Sequence, residues 1–382
     1  MAAMIELRGA HFRNKGAQLM LIAMVEGLRR IRPDADLVIA PTHRSPYLDR
    51  ASLGLYQKVW LQKAGIQWGP LISACLPKLF KDAYGLVDDR RVTTVLDASG
   101  FAYSDQWGGT HTVELASAAA RWVRQGTRLI LMPQAFGPFQ LRRNRSAMQR
   151  VAGMATAIFA RDDVSLAHLQ SILPATDTDK VRLAPDFTAL VASRPCSDWP
   201  VPAGGACLIP NKRLIDKRGI GPDQYAALFR SVARMARQAD LSPFFLVHEG
   251  PEDAALVEAI NRSLDSPVPV LAPSDSRVIK GIIGKAELVF GSRFHGLVSA
   301  VSQHVPAIAV GWSHKYQQLF ADYRVPEFAF DMADSPPERI LDGLAFLLDA
   351  GRRAELRQGL RASAALQEQR IAAMWGQLDA LI

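Results

Sequence analysis

The feature that most constrains this chain is a strand–loop–helix alternation sustained over most of its length. "MIELRGA" (4–10) reads as a short strand, "HFRNKG" as a loop, "AQLMLIAMVEGLRRI" (17–31) as a helix apolar on most sides, and "ADLVIAP" (35–41) as the next strand. Such a βαβ unit requires a parallel sheet, because a parallel partner can only be reached through a crossover. The grammar recurs in "VTTVLDASG" (92–100), "THTVELASAAARWVRQG" (110–126), "TRLILMPQAFGPF" (127–139), "MATAIFARDD" (154–163) with "VSLAHLQSIL", and "VRLAPDFTAL" (181–190). A Pro/Gly/Ser-rich stretch, 191–205, interrupts it and reads as an interdomain linker. A second series follows: "ACLIPN" (206–211), a helix over 222–238, "SPFFLVHEG" (242–250), a helix over 251–264, "PVPVLAP" (267–273), "AELVFGSRFHG" (286–296), "LVSAVSQH" and "PAIAVGW" (306–312). The expected fold class is α/β, with two Rossmann-like doubly wound domains facing a cleft: residues 1–195 as the probable acceptor side, 205–345 as the donor-anion side, and a helical segment 346–382 returning to the first domain or serving as a dimer contact. A length of 382 residues suits two such domains.

Composition excludes several classes. Hydrophobic content of 49% with 21% charged residues is that of a globular chain, and no run reaches the roughly 18 apolar residues of a membrane helix. Charges at Glu6, Arg8, Arg13, Lys15 and Glu26 break any signal-peptide core, so the expected location is the cytoplasm, with the inner face of the membrane as an alternative. Cys75, Cys196 and Cys207 form neither a disulfide framework nor a zinc pattern, and no metal site is expected. A net charge of +8 favours anionic partners. Apart from "QLRRNRS" (140–146) the basic residues are dispersed and lack interleaved aromatics, which argues against nucleic acid.

In open α/β sheets ligands bind beyond the carboxyl ends of the strands, where helix N-termini offer free N–H groups. Five such ends carry polar residues: Arg293, His295 and Gly296 after "ELVFG"; Arg161 in "FARDD"; Gln134 and Gly137 in "MPQAFGPF"; Asp97, Ser99, Gly100 and Asp105 in "DASGFAYSD"; Asn14 and Gly16 in "FRNKGAQ". Each has a structural reading too. Arg293 can pair with a core carboxylate, Asn14 and Ser99 can cap helices, and Arg161 can pair with Asp162 or Asp163. Their joint occurrence favours a site.

The chain resembles the polysaccharide pyruvyl transferase family, whose fold is similar to two-domain GT-B glycosyltransferases. The resemblance is carried by "NKGAQLML", "PQAFGPF", "ARDDVSLAHL", "APDFTAL" and "GSRFHGLVSAVSQHVPAIAVGWSHK", over about residues 5 to 316. Gly16-Ala17 departs from the family's Gly-Asp, which moves that acid's role to Asp97 or Asp105, and Phe101 stands where more glycine is expected. The resemblance implies transfer of the pyruvyl unit of phosphoenolpyruvate to two hydroxyls of one sugar, in a glycan or lipid-linked oligosaccharide, giving a cyclic ketal and phosphate with no other cofactor. Arg161, Arg293 and Lys315, with Gly296, would then hold the donor. His295 would move protons, and Asp97 or Asp105 would act as base or sugar ligand. Asn14, Gly16, Ser99, Gly100 and Gln134 would line the acceptor loops.

"DAD" (34–36) and "DTD" (177–179) read as surface turns, "GIIGKAE" (281–287) lacks P-loop spacing, and "VHEG" (247–250) is not a zinc motif, although His248 and Glu249 follow a strand. "KVWLQKAGIQWGPLISACLPKLFK" (58–81) reads either as a core helix with a lysine edge, the favoured reading, or as a peripheral membrane contact. Two other functions fit the same architecture: a nucleotide-sugar glycosyltransferase and a non-catalytic glycan- or anion-binding protein.

Overall fold

The computed structural model describes residues 3–63, 66–218 and 220–382. The chain divides into two compact units: unit 1 comprises Met1–Arg13, Met20–Phe187 and Arg370–Ile382, and unit 2 comprises Asn14–Leu19 and Thr188–Gln369. The division falls just ahead of the coil at 191–204 that the composition marks as a linker.

The strands of unit 1 are β1 (Met4–Arg8), β2 (Asp36–Ile39), β3 (Tyr56–Lys58), β4 (Gln62–Lys63), β5 (Ile66–Gln67), β6 (Leu86–Val87), β7 (Thr94–Asp97), β8 (Arg128–Gln134), β9 (Ala157–Ala160) and β10 (Val181–Leu183). Eight of them form one sheet in the order β10-β9-β8-β7-β1-β2-β3-β6, with β4 and β5 pairing separately. Every pairing in the large sheet is parallel. The chain winds outward from β1 through β2, β3 and β6, then crosses to β7 on the other side, so the switch point lies between β1 and β7.

Unit 2 holds β11 (Gly205–Ile209), β12 (Ser242–Leu246), β13 (Val270–Leu271), β14 (Leu288–Gly291), β15 (Ala307–Gly311) and β16 (Ala329–Asp331). They form an all-parallel sheet in the order β13-β12-β11-β14-β15-β16, whose switch point lies between β11 and β14. β11, β14 and β15 are buried along their whole length, which is why they read as unbroken apolar runs rather than as alternating ones.

Some elements differ from the sequence reading. The basic run at 140–146 opens a helix, Arg142–Met154, whose Ala147, Met148, Val151 and Ala152 form a buried stripe under a polar exterior. Ser276–Gly284 is a further helix, and β3 and β6 extend the first sheet at its edge. The helix after β14 starts at Phe294, three residues before the expected Leu297, so His295 lies in its first turn. The C-terminal segment is two helices, Pro337–Leu348 and Ala350–Asp379; Arg370–Ile382 counts with unit 1, where Trp375 meets Phe187 edge-on at 6.3 Å. Among the described residues no helix is long and apolar enough to cross a membrane.

Candidate functional site

In unit 2 the polar groups gather where β11, β12, β14 and β15 end. Asn211, after β11, donates through Nδ2 to the Ser292 carbonyl after β14 at 2.7 Å. The Tyr225 hydroxyl reaches Ser292 Oγ at 3.1 Å and accepts the Asn211 N–H at 3.0 Å, while the Tyr316 hydroxyl donates to the Ser292 carbonyl at 3.0 Å. Burial raises the pKa of both phenols, so they stay protonated as donors. The two loops of the switch point are thereby pinned together.

Arg293 faces away from the role assigned to it. Its Nε and Nη2 form a bidentate pair with Asp253, at 2.8 and 2.5 Å, and its Nη1 donates to Glu249. Burial alone would lower its pKa; the two carboxylates outweigh burial and raise it, so the guanidinium is a compensated internal charge. This corrects the expectation that Arg293 is a free anion anchor. Glu249 also accepts from Asn14 Nδ2, and Asn14 Oδ1 accepts the Ala17 N–H at 2.9 Å, so Asn14, which counts with unit 2, both caps the first turn of the helix Lys15–Ile31 and shares Glu249 with Arg293. Gly16 explains itself sterically: a Cβ there would overlap the His295 imidazole. Gly296 likewise leaves room for Ile209 and the His248 ring, each just over 3 Å from where its Cβ would lie, at 3.2 and 3.3 Å.

His295 and Lys315 flank the Phe294 ring, the imidazole edge-on at 5.3 Å and the Lys315 ammonium 5.3 Å above its centre. Lys315 also lies over Trp312 and Tyr316, at 5.0 and 5.3 Å. Both residues occupy first turns of helices, Phe294–Val301 and His314–Asp322, that follow the adjacent strands β14 and β15 and have no side-chain cap. Two polar atoms at these strand ends, His248 Nε2 after β12 and Ser313 Oγ after β15, are buried without a hydrogen-bond partner among the described residues. Burial first, then the positive neighbours Arg293, His295 and Lys15, hold the His248 pKa well below the ordinary imidazole value.

Unit 1 has its own polar cluster. Asp97 ends β7 wholly buried; Oδ2 pairs with Arg8 Nη1 at 2.5 Å, the Tyr103 hydroxyl donates to it at 2.9 Å, and Gln134 Nε2 reaches the Asp97 carbonyl at 3.1 Å. Burial and Asp97 raise the Tyr103 pKa, keeping it a donor. Ser99 Oγ lies 3.1 Å from the Tyr103 hydroxyl, and Gly100 turns the loop at φ +73°. Asp97 is thus wholly buried and orients Arg8 and Tyr103, in contrast to the base expected to face a sugar hydroxyl. Asp105 is also committed: its carboxylate accepts the N–H groups of Gln140 and Leu141 and Asn144 Nδ2, fixing the loop ahead of Arg142–Met154. Arg161, expected as a donor ligand, is buried and paired with Asp186 at 3.1 Å; Asp162 caps the next helix at Ser165. Among the described residues no metal-binding group of three or more His, Cys, Asp or Glu occurs.

The structure thus joins Asn14, Gly16, Arg293, Gly296, His295 and Lys315 in unit 2, and Asp97, Ser99, Gly100 and Gln134 in unit 1. Asp253, Arg8 and Tyr103 escaped the sequence reading. Arg8 had a signal, a charge closing the apolar run of β1; Asp253 had none, since its partner lies 40 residues further along the chain.

Two parallel-sheet units with polar groups at their switch points define a GT-B-like fold, and solved structures agree. A candidate UDP-N-acetylglucosamine 2-epimerase of Listeria monocytogenes aligns with TM-score 0.61 at 12% identity, over 94% of this chain and 91% of its own. The UDP-GlcNAc 2-epimerase of Methanocaldococcus jannaschii gives 0.60 at 11%, over 91% and 93%. A glycosyltransferase of Rickettsia africae gives 0.58 at 9%, over 98% of each chain. At these identities the likeness concerns the fold alone. Comparison with curated proteins finds no match. The sequence profile of the polysaccharide pyruvyl transferases matches residues 14–314, and the chain belongs to that family of transferases.

Proposed function

We propose that this transferase moves the pyruvyl unit of phosphoenolpyruvate onto two hydroxyls of one sugar of a saccharide acceptor, forming a cyclic ketal and releasing phosphate. The observation that carries the reading is the pair of uncapped helix N-termini behind β14 and β15, with His295 and Lys315 in their first turns. First-turn N–H groups, helix dipoles and one ammonium suit a small, multiply charged anion. Arg293 acts indirectly here: paired with Glu249 and Asp253, it holds the loop that presents His295.

Proton accounting needs no external base. The first hydroxyl adds across the C=C of the enol phosphate, its proton ending on the methylene carbon to make the methyl group. The second hydroxyl then displaces phosphate at the same carbon by cleavage of the carbon–oxygen bond, its proton leaving with phosphate. His295 is the carrier for the first transfer, since an imidazole can both accept and donate a proton. A bound phosphate dianion favours the charged imidazole, which then acts as acid toward the donor. In unit 1, Arg8 and Ser99, held by Asp97 and Tyr103, offer polar contacts for a sugar.

A thermal-shift series with phosphoenolpyruvate, phosphate and nucleotide sugars tests the donor. A ligand at about a hundred times its dissociation constant stabilises by roughly 2.7 kcal/mol. Stabilisation by phosphoenolpyruvate that is lost in Lys315→Ala is the expected result. Stabilisation by a nucleotide sugar and not by phosphoenolpyruvate would overturn the donor assignment.

A further inference from the structure

Exposed large apolar side chains are unevenly distributed. Ten of the sixteen found among the described residues fall between Tyr47 and Tyr84. Leu48 is 78% and Leu79 84% exposed, and Tyr47, Leu71, Phe80 and Tyr84 accompany them.

These residues belong to one neighbourhood, the β6 edge of the unit 1 sheet. Phe80 and Tyr84 lie 4.5 Å apart between ring centres; Tyr56, on β3, is 3.5 Å from where a Cβ on Gly85 would stand; Lys81 donates to the Ser73 carbonyl, joining the short helices Gly69–Cys75 and Lys78–Ala83. Arg50 of the helix Tyr47–Ser52 reaches Gln57 of β3 at 2.6 Å. An apolar patch of this kind with a polar rim marks an interaction surface.

The rim is basic. Arg44, Lys78, Arg90 and Arg91 are exposed along 44–91, against Asp82 as the exposed acid among the described residues there. Short apolar elements bordered by cations fit the headgroup region of an anionic bilayer, where apolar side chains enter and cations stay at the phosphates. A second copy of the chain fits less well, because a two-fold contact would bring the same cations face to face.

We propose that this edge of unit 1 docks on an anionic lipid bilayer. Docking would bring the enzyme to lipid-linked saccharides, and it is read without any turnover, independently of the donor assignment. The test is co-sedimentation of the full chain with phosphatidylcholine vesicles, with and without phosphatidylglycerol. The wild-type chain should sediment with the phosphatidylglycerol vesicles, be released by salt, and stay in solution with phosphatidylcholine alone. The double variant Leu71→Asp/Leu79→Asp should bind about tenfold less, and Lys78→Glu/Arg90→Glu should lose the preference for phosphatidylglycerol. Because these side chains are exposed, thermal midpoints should not change, which separates lost docking from unfolding. Failure of the wild-type chain to sediment with phosphatidylglycerol vesicles, or sedimentation unaffected by Leu71→Asp/Leu79→Asp, would overturn the proposal. So would a concentration-dependent dimer that this double variant dissolves, which would give the face to a second copy.

Discussion

At the scale of single residues, Arg293 and His295 stand two positions apart in different surroundings, the one between two carboxylates and the other against the Phe294 ring. Arg293→Ala takes from Asp253 the guanidinium it pairs with, and removing one member of a buried pair costs about 3–5 kcal/mol, so a lowered unfolding midpoint is expected with or without phosphoenolpyruvate. His295→Asn should fold normally and lose about 10²–10⁴-fold in turnover; single-turnover kinetics within threefold of wild type would remove it from the proton path. Gly16→Ala should affect both properties, since its methyl displaces the imidazole and overpacking typically costs about 1–3 kcal/mol. His248 supplies a pH dependence. Its imidazole is held neutral in the folded chain, so the unfolded chain binds the extra proton as pH falls through the ordinary value of 6.5. Stability is therefore present above that pH and declines below it, by at most about 1.4 kcal/mol per pH unit, and His248→Gln should flatten the decline in chemical denaturation between pH 5 and 7. His295 was legible because a histidine after a buried strand is conspicuous. Arg293 was legible in place, with a donor contact and a core ion pair both open to it; its carboxylates could not be named because they are supplied by a segment 40 and 44 residues away.

At the scale of elements, the central strands could be read because burial on both faces makes them uniformly apolar. The two- and three-residue strands β6 and β3 could not, since such short runs carry no period. The helix Arg142–Met154 was hidden by its arginines, although Ala147, Met148, Val151 and Ala152 trace a buried stripe. That helix begins where Asp105 clamps Gln140 and Leu141. Asp105→Ala should cost roughly 1–3 kcal/mol and loosen this loop, visible as faster amide exchange at 139–145, whereas a general base would show its loss in turnover alone.

At the scale of the whole chain, the C-terminal helix Ala350–Asp379 runs from residues counted with unit 2 to residues counted with unit 1, where Trp375 is buried against Phe187 and leaves Gly27 no room for a side chain. Trp375→Ala should cost about 3–5 kcal/mol, measured by denaturant unfolding, and ending the chain at Gln369 should destabilise unit 1 at least as much. By itself the sequence determined the α/β class, the parallel order of strands and helices, and the strand-end loops where polar residues collect, because burial period and strand-end position are local properties written in neighbouring residues. Only the tertiary structure decided which charges are spent internally. Asp97 on Arg8, Arg161 on Asp186 and Arg293 on Asp253 are pairings between distant segments, and the free energy of burying a charge depends on the partner that meets it there.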